Sequence, residues 1–428
     1  MKAFRITAVV LIVLATVFTA WVAVWNGLGE DEYYNTALPN TAENGFIYLE
    51  SDESQDGYAT IYVPDGEFID ILVLTDPQVK YPVNNYENKY GASNDNTFTL
   101  IERMVARANP DLVVITGDIV MSGLLNNVTF LKRYANMFER LGVYWAPTFG
   151  NHDSEFSTPN GALADATGIS ESNKEYVVET LDKYPHCIID SGDAGEGGGI
   201  GNYFINIRRA DGELIYSLCM MDCVNTGGSK YLRYKTEAQT AWYERHLEAI
   251  NAAEYGADAA MQVKSMLFTH VPLPEIFTAH EAWEEGDGSV EMVYGEIVEG
   301  SASAAGFDRC GMFEKIKELG STTAVFSGHY HDNGGMLRYE GVDMVFVQHS
   351  GLAHYYRMDA DSRRRTLDMN DIYEYGDDRG GTLVTISSRD SYSIRPFLAR
   401  EEVEYADISV DYEAVYEDLT SRGWEVSR

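Results

Sequence analysis

The chain has 428 residues, 45% of them hydrophobic and 12% aromatic, which suits a large packed core and excludes a disordered or fibrous protein. Its 32 Lys and Arg stand against 67 Asp and Glu, a formal charge of -35. That balance argues against a broad basic face, so no extended nucleic-acid interface is expected. A phosphate substrate stays compatible, because exposed charge is screened beyond ~8 Å whereas a metal ion acts at contact.

In chain order, residues 1–29 come first. Lys2 and Arg5 precede a stretch with no charge from Ile6 through Gly29, enough for a transmembrane helix of ~20 residues. Basic residues ahead of that span place the N-terminus inside and the bulk of the chain outside. A signal anchor is therefore favoured, giving a membrane-anchored protein with an extracytoplasmic domain. The competing reading is a cleaved signal peptide and a secreted protein, for which only Gly27 and Gly29 offer suitably spaced small residues. Residues 30–45 are polar and aperiodic, a linker.

From 46 to 400 the pattern is regular. "FIDILVLT" (68–75), "DLVVIT" (111–116), "VYWAPTF" (143–149), "ELIYSLCMM" (213–221), "KSMLFT" (264–269), "TTAVFS" (322–327) and "VDMVFVQ" (342–348) are apolar runs of strand length. Most are continuous rather than alternating, as in strands covered on both faces. Phe98, Ile101, Val105 and Ala108, then Val128, Leu131, Ala135, Phe138 and Leu141, repeat at helical spacing. "TEAQTAWYERHLEAI" and "CGMFEKIKEL" are further helices. The economical reading is one α/β domain. Residues 281–306, acidic and rich in glycine and serine, are expected as a surface excursion, and the acidic extension 401–428 as a helix through Tyr412, Val415, Tyr416 and Leu419. Cys187, Cys219, Cys223 and Cys310 include no CxxC pair and read as buried thiols.

Five strands end in metal-ligand candidates: Asp76 with Gln78 in "TDPQ", Asp118 in "TGDIV", Asn151 and His152 in "FGNHD", His270 in "FTHVPLP", and His329 with His331 in "SGHYH". Ligands of α/β sheets gather at the carboxyl ends of strands. One such residue alone would be a cap or a loop hydrogen-bonder; five ends in step are a site. Residues i and i+2 of an extended segment face one way, which would bring Asp76 to Gln78 and His329 to His331. Gly117, Gly150 and Gly328 precede candidates where the backbone must turn or approach closely. Mixed nitrogen and oxygen donors suit divalent ions such as manganese, iron or zinc.

The order D-x-[H/Q], G-D, G-N-H-[D/E], H, G-H-x-H resembles the calcineurin-like metallophosphoesterases across roughly residues 66–360. "GVYWAPTFGNHD", "HVPLPE" and "GFDRCGMFEKIKELGSTTAVFSGHYHDNGG" are similar to that family's purple-acid-phosphatase-like branch. The resemblance implies a calcineurin-like four-layer sandwich of two β-sheets flanked by helices. It also implies two divalent ions, manganese, iron, zinc or magnesium, bridged by Asp118. Asp76, Gln78 and His331 would complete the protein shell of the first ion, and Asn151, His270 and His329 that of the second. His152 would bind no metal and would serve the phosphoryl group or leaving oxygen as the catalytic residue, oriented by Asp153. The family commonly has histidine where this chain has Gln78; an amide oxygen is a harder, weaker donor that favours magnesium or manganese over zinc.

The expected function is metal-dependent hydrolysis of phosphate esters, monoesters first, through attack of a metal-activated hydroxide on phosphorus. A phosphodiesterase acting on nucleotides or lipid headgroups is the alternative. A surface protein that binds phosphorylated ligands without turnover is a third reading, of another class. Asp222, His349 and His354 follow strands near the expected site and read as supporting or turn residues. His186, His246 and His280 read as surface or satisfied side chains.

Overall fold

The computed structural model describes residues 47–49, 54, 57–80, 94–121, 127–153, 169–224, 236–298, 300, 310–352, 366–368, 379–405, 407–408, 412–421 and 425–427. The expected anchor, the linker and His354 lie outside the described residues. No helix among those described is long and apolar enough to cross a membrane.

The first half is built on a short parallel core. After β1 (Ile47–Leu49) and β2 (Ala59–Val63) come β3 (Ile69–Leu74), β4 (Val79–Lys80), α1 (Asn94–Ala108), β5 (Leu112–Thr116), β6 (Val120–Met121), α2 (Asn127–Leu141), β7 (Tyr144–Thr148) and α3 (Ile169–Leu181). β3, β5 and β7 pair in parallel, Leu72 opposite Val113 and Val114 opposite Ala146. β3 and β5 are mainly aliphatic and β7 is aromatic at its start, and all three are buried along nearly their whole length, as strands with both faces covered must be. α1 turns Phe98, Ile101, Met104 and Val105 inward. α2 does so with Val128, Leu131, Ala135 and Phe138.

The second half adds β8 (Tyr203–Arg209), β9 (Leu214–Met221), α4 (Glu237–Tyr255), β10 (Ser265–Thr269), α5 (Glu275–Glu284), β11 (Glu291–Glu296), α6 (Met312–Leu319), β12 (Thr322–Ser327), β13 (Gly334–Tyr339) and β14 (Val342–Phe346). α4 starts at a capping box in which the Thr236 hydroxyl accepts from the Gln239 amide and the Gln239 side chain accepts from the Thr236 amide. These strands form a nine-stranded sheet in the order β1-β2-β8-β9-β10-β12-β14-β13-β11. Its inner members split their side chains by period two. Met266, Phe268, Phe326 and Val345 join the core shared with the first half, whereas Leu267, Val325, Met344 and Phe346 join a second core with α4, α5 and α6.

β15 (Thr366–Asp368) pairs with the late β18 (Glu425–Ser427). Between them, β16 (Gly380–Ser388) and β17 (Ser391–Leu398) form a hairpin, and β16 runs antiparallel to β3, giving a five-stranded sheet β17-β16-β3-β5-β7. α7 (Ala399–Glu402) and α8 (Tyr412–Ser421) follow that hairpin. The result is an α/β fold with two sheets and helices.

The sheets are joined at their carboxyl ends. The amide of Ser350 donates to the Thr75 carbonyl at 2.9 Å, and that of Cys223 to the Phe149 carbonyl at 3.0 Å. Part of the expected surface excursion is more regular than its composition suggested. Glu291–Glu296 is the edge strand β11, paired antiparallel with β13 and mostly exposed on its outer face.

Candidate metal centre

The five strand ends do converge, though not by the extended geometry expected of them. Asp76 (φ 50°), Gln78 (φ 45°), Asp118 (φ 47°) and His329 (φ 74°) all adopt left-handed backbone. Each such turn costs on the order of 1–3 kcal/mol for a residue with a Cβ. Asp76 and Gln78 therefore share a site because the chain curls, not because alternate residues of a strand face one way. The neighbouring glycines make the curl possible. A Cβ on Gly117, itself at φ +86°, would lie 2.6 Å from the Gly150 amide nitrogen, and one on Gly328 would lie 1.9 Å from the Thr75 hydroxyl.

Two buried carboxylates anchor the cluster. The Oδ2 of Asp76 accepts from the Thr75 hydroxyl (2.8 Å) and the His329 amide (2.9 Å), and its Oδ1 lies 3.1 Å from His331 Nε2. The Oδ1 of Asp118 accepts from the His152 amide at 2.8 Å, and its Oδ2 lies 3.1 Å from His270 Nε2. Burial acts to raise both carboxyls. His270 with His331 outweighs it at Asp76, which falls well below the usual range, and His270 with His152 holds Asp118 at about 2. Burial likewise works against charge on His270, but Asp118 and Asp76 push it up to about 9; burial and then His270 bring His329 down to about 3.

Several observations test whether these residues suit metal ions. Among the described residues neither Asp76 nor Asp118 has a lysine or arginine partner, so their charge is met by imidazole alone. His270 Nδ1 faces the Thr116 carbonyl at 3.0 Å, the arrangement in which the N–H sits on Nδ1. Its Nε2 then confronts Asp118 Oδ2, Asn151 Oδ1 at 3.1 Å and His329 Nδ1 at 3.2 Å. One proton there serves one of three acceptors, whereas a cation serves them all. Donor atoms of Asp118, His270 and His329 lie within 4.8 Å of one another. The donor set fits a divalent ion of intermediate hardness.

Gln78 is placed with its amide nitrogen toward the cluster, 3.3 Å from Asp118 Oδ2 and 2.9 Å from His331 Nε2. Its Oε1 is buried and has no hydrogen-bond partner among the described residues. Turning the amide over would aim that oxygen at the cluster without breaking a bond to it.

His152 is partly exposed, its side chain 24% accessible beside 26% for His331, with Nε2 3.8 Å from Asp118 Oδ2. The Asp153 carboxylate accepts from the amides of Gly150 (2.7 Å) and Val120 (3.0 Å), bracing the turn that carries Asn151 and His152. Burial and the nearby Asp118 push that carboxyl up to about 7 despite the two donors. His349 does join the cluster, its ring stacked on that of His331. Asp222 does not: it forms a fully buried ion pair with Lys174, whose Nζ lies 2.9 and 2.8 Å from its two oxygens. His186 and His246 are satisfied by Glu139 and by Tyr58 with Asp193, and His280 stacks on Trp283.

Two buried basic residues were missed in the sequence, one beside the centre and one away from it. Buried Arg379 contacts His349 Nδ1, and buried Lys174 neutralises Asp222. Each sits in a polar stretch without periodicity, "DDRGG" and "ESNKEYV", so no local signal marks it.

A family model described as calcineurin-like phosphoesterase matches residues 69–333. The chain is 24% identical over 278 residues to a protein of Arabidopsis thaliana named probable inactive purple acid phosphatase 14, a stretch covering 61% of this chain and 63% of that protein. It is 26% identical over 250 residues to phosphatase DCR2 of Saccharomyces cerevisiae, covering 56% of this chain and 39% of that one. The chain thus spans less than two thirds of these relatives' own lengths. A solved dimetal phosphatase from Danio rerio superposes on 77% of this chain and 96% of its own, with a TM-score of 0.41 and 11% identity.

Proposed function

Because the chain belongs to the calcineurin-like phosphoesterase family, we propose that it hydrolyses phosphate esters, monoesters in preference to diesters. The observation that carries this reading is the gathering, at one point, of side chains from the ends of five strands with a partly exposed histidine at the rim. Asp76, Gln78 and His331 would hold one divalent ion and Asn151, His270 and His329 a second, with Asp118 between them. Bound there, the ions supply Lewis acidity and a concentrated positive charge for a phosphate group.

The chain's own residues do the positioning. The Thr75 hydroxyl and His329 amide fix Asp76, and the His152 amide fixes Asp118, so neither carboxylate needs to reorganise when substrate arrives. The Thr116 carbonyl holds the His270 tautomer. His152, tied by its backbone to Asp118 yet partly open at its ring, would pass a proton to the departing ester oxygen. The uncharged run from Ile6 through Gly29 supports a membrane anchor that holds this domain outside the cytoplasm.

Gln78 favours a second reading, binding without turnover, as does the word inactive in the Arabidopsis relative's name. The two separate in one experiment: hydrolysis of p-nitrophenyl phosphate beside bis(p-nitrophenyl) phosphate by the full chain with manganese, and by Asp118→Ala. Monoester turnover lost in the variant is expected. Preference for the diester would reassign the substrate class, and no turnover across several metals would leave the binding role.

A further inference from the structure

A cavity of about 310 Å³ opens where the start of β8 meets β1, β2 and the first turns of α4, and no residue of the metal centre lines it. Its size falls within the ~300–1,000 Å³ of small-molecule pockets. The wall is aromatic. Phe204 lies 5.2 Å from Trp242 between ring centroids and packs T-shaped with Tyr58 at 6.2 Å, and Tyr48 also lines the cavity. These rings are held in place before any ligand arrives. Asp193 Oδ1 accepts from Trp242 Nε1 at 2.7 Å and pairs with His246 Nε2 at 2.8 Å, while the Tyr58 hydroxyl meets His246 Nδ1 at 2.9 Å.

The charged side chains that line the cavity are mainly acidic. Asp182, Asp190 and Asp193 line the cavity with His246, which pairs with Asp193, and among the described residues no lysine or arginine lines it. Arg245, itself exposed, pairs with Asp193 Oδ2 at 3.5 Å and donates to the Asp193 carbonyl at 3.3 Å. Electron-rich ring faces among carboxylates attract cations and repel phosphates and carboxylates, and the chain's charge of -35 acts in the same direction. We propose that this cavity binds a small organic cation, a quaternary ammonium or protonated amine, at a site separate from the phosphoesterase centre.

Calorimetric titration of the full chain with choline, ethanolamine and the uncharged choline isostere 3,3-dimethylbutanol tests this. A cation should bind at least tenfold more tightly than the isostere. Tyr58→Ala should weaken it at least fivefold. Asp182→Asn with Asp190→Asn, which keeps shape and removes two charges, should do the same with the melting temperature unchanged. Asp118→Ala should leave the affinity as it was. Equal binding of isostere and cation, no binding of either cation, or loss of binding in Asp118→Ala would each overturn the assignment.

Discussion

The imidazole of His349 lies flat against that of His331, ring centroids 4.5 Å apart and planes 14° from parallel. The stack fixes the plane of a ring whose Nε2 stands 3.1 Å from Asp76, and Arg379 contacts His349 at its Nδ1. His349→Ala is expected to lower manganese affinity by ~10–100-fold, as loss of a ligand's supporting contact does. His349→Phe should recover much of it by restoring a ring. Calorimetry on the two variants decides; unchanged affinity in the alanine variant would remove His349 from the centre.

Proton donation by His152 has its own signature. His152→Ala should reduce kcat by ~10²–10⁴ for an alkyl phosphate, whose leaving oxygen needs a proton. The loss should be much smaller for p-nitrophenyl phosphate, whose phenolate departs unaided. Equal losses on both would assign His152 to binding the phosphoryl group instead.

Replacing Gln78 by histidine should raise zinc affinity on the order of tenfold, because imidazole is the softer and stronger donor. Gln78→Leu should leave one ion per chain instead of two, measured by elemental analysis after gel filtration. Two ions in the leucine variant would show that the amide is not a ligand.

Away from the centre, Lys174 and Asp222 are both buried, and the Asp222 Oδ2 also accepts from the Ile200 amide. Lys174→Met strands a carboxylate in the interior and should cost ~3–5 kcal/mol in urea denaturation. Adding Asp222→Asn, which keeps an acceptor for Ile200, should return most of that loss. A double variant as unstable as the single would mean that packing, not charge, dominates.

The parts legible in the sequence are those where one physical demand acts alone. β3, β5, β10 and β12 need aliphatic residues on both faces, so they stand out as unbroken runs ending one or two residues before a ligand candidate. β17 was invisible because it is half exposed, alternating "SYSIRPFL" with Pro396 inside it, a pattern that turns and edges share. β8 was missed for a related reason: its last residues, Arg208 and Arg209, are partly exposed and break the apolar run. The site residues could be named but not their backbone, because nothing in "TDPQ" announces two left-handed turns flanking a proline. Nor could the aromatic cavity be read, since Tyr58, Asp193, Phe204 and Trp242 meet only when three distant segments fold together.

The small sheet contributes Asp76, Gln78, Asp118 and Asn151 to the centre, and the large sheet contributes His270, His329 and His331. A cation gripped from both sides can stay only while the two halves of the molecule remain closed on each other, so occupancy and cohesion become a single linked quantity. A chelator would act on such a protein as a solvent acts on a glued joint, loosening the seam between the sheets as well as emptying it.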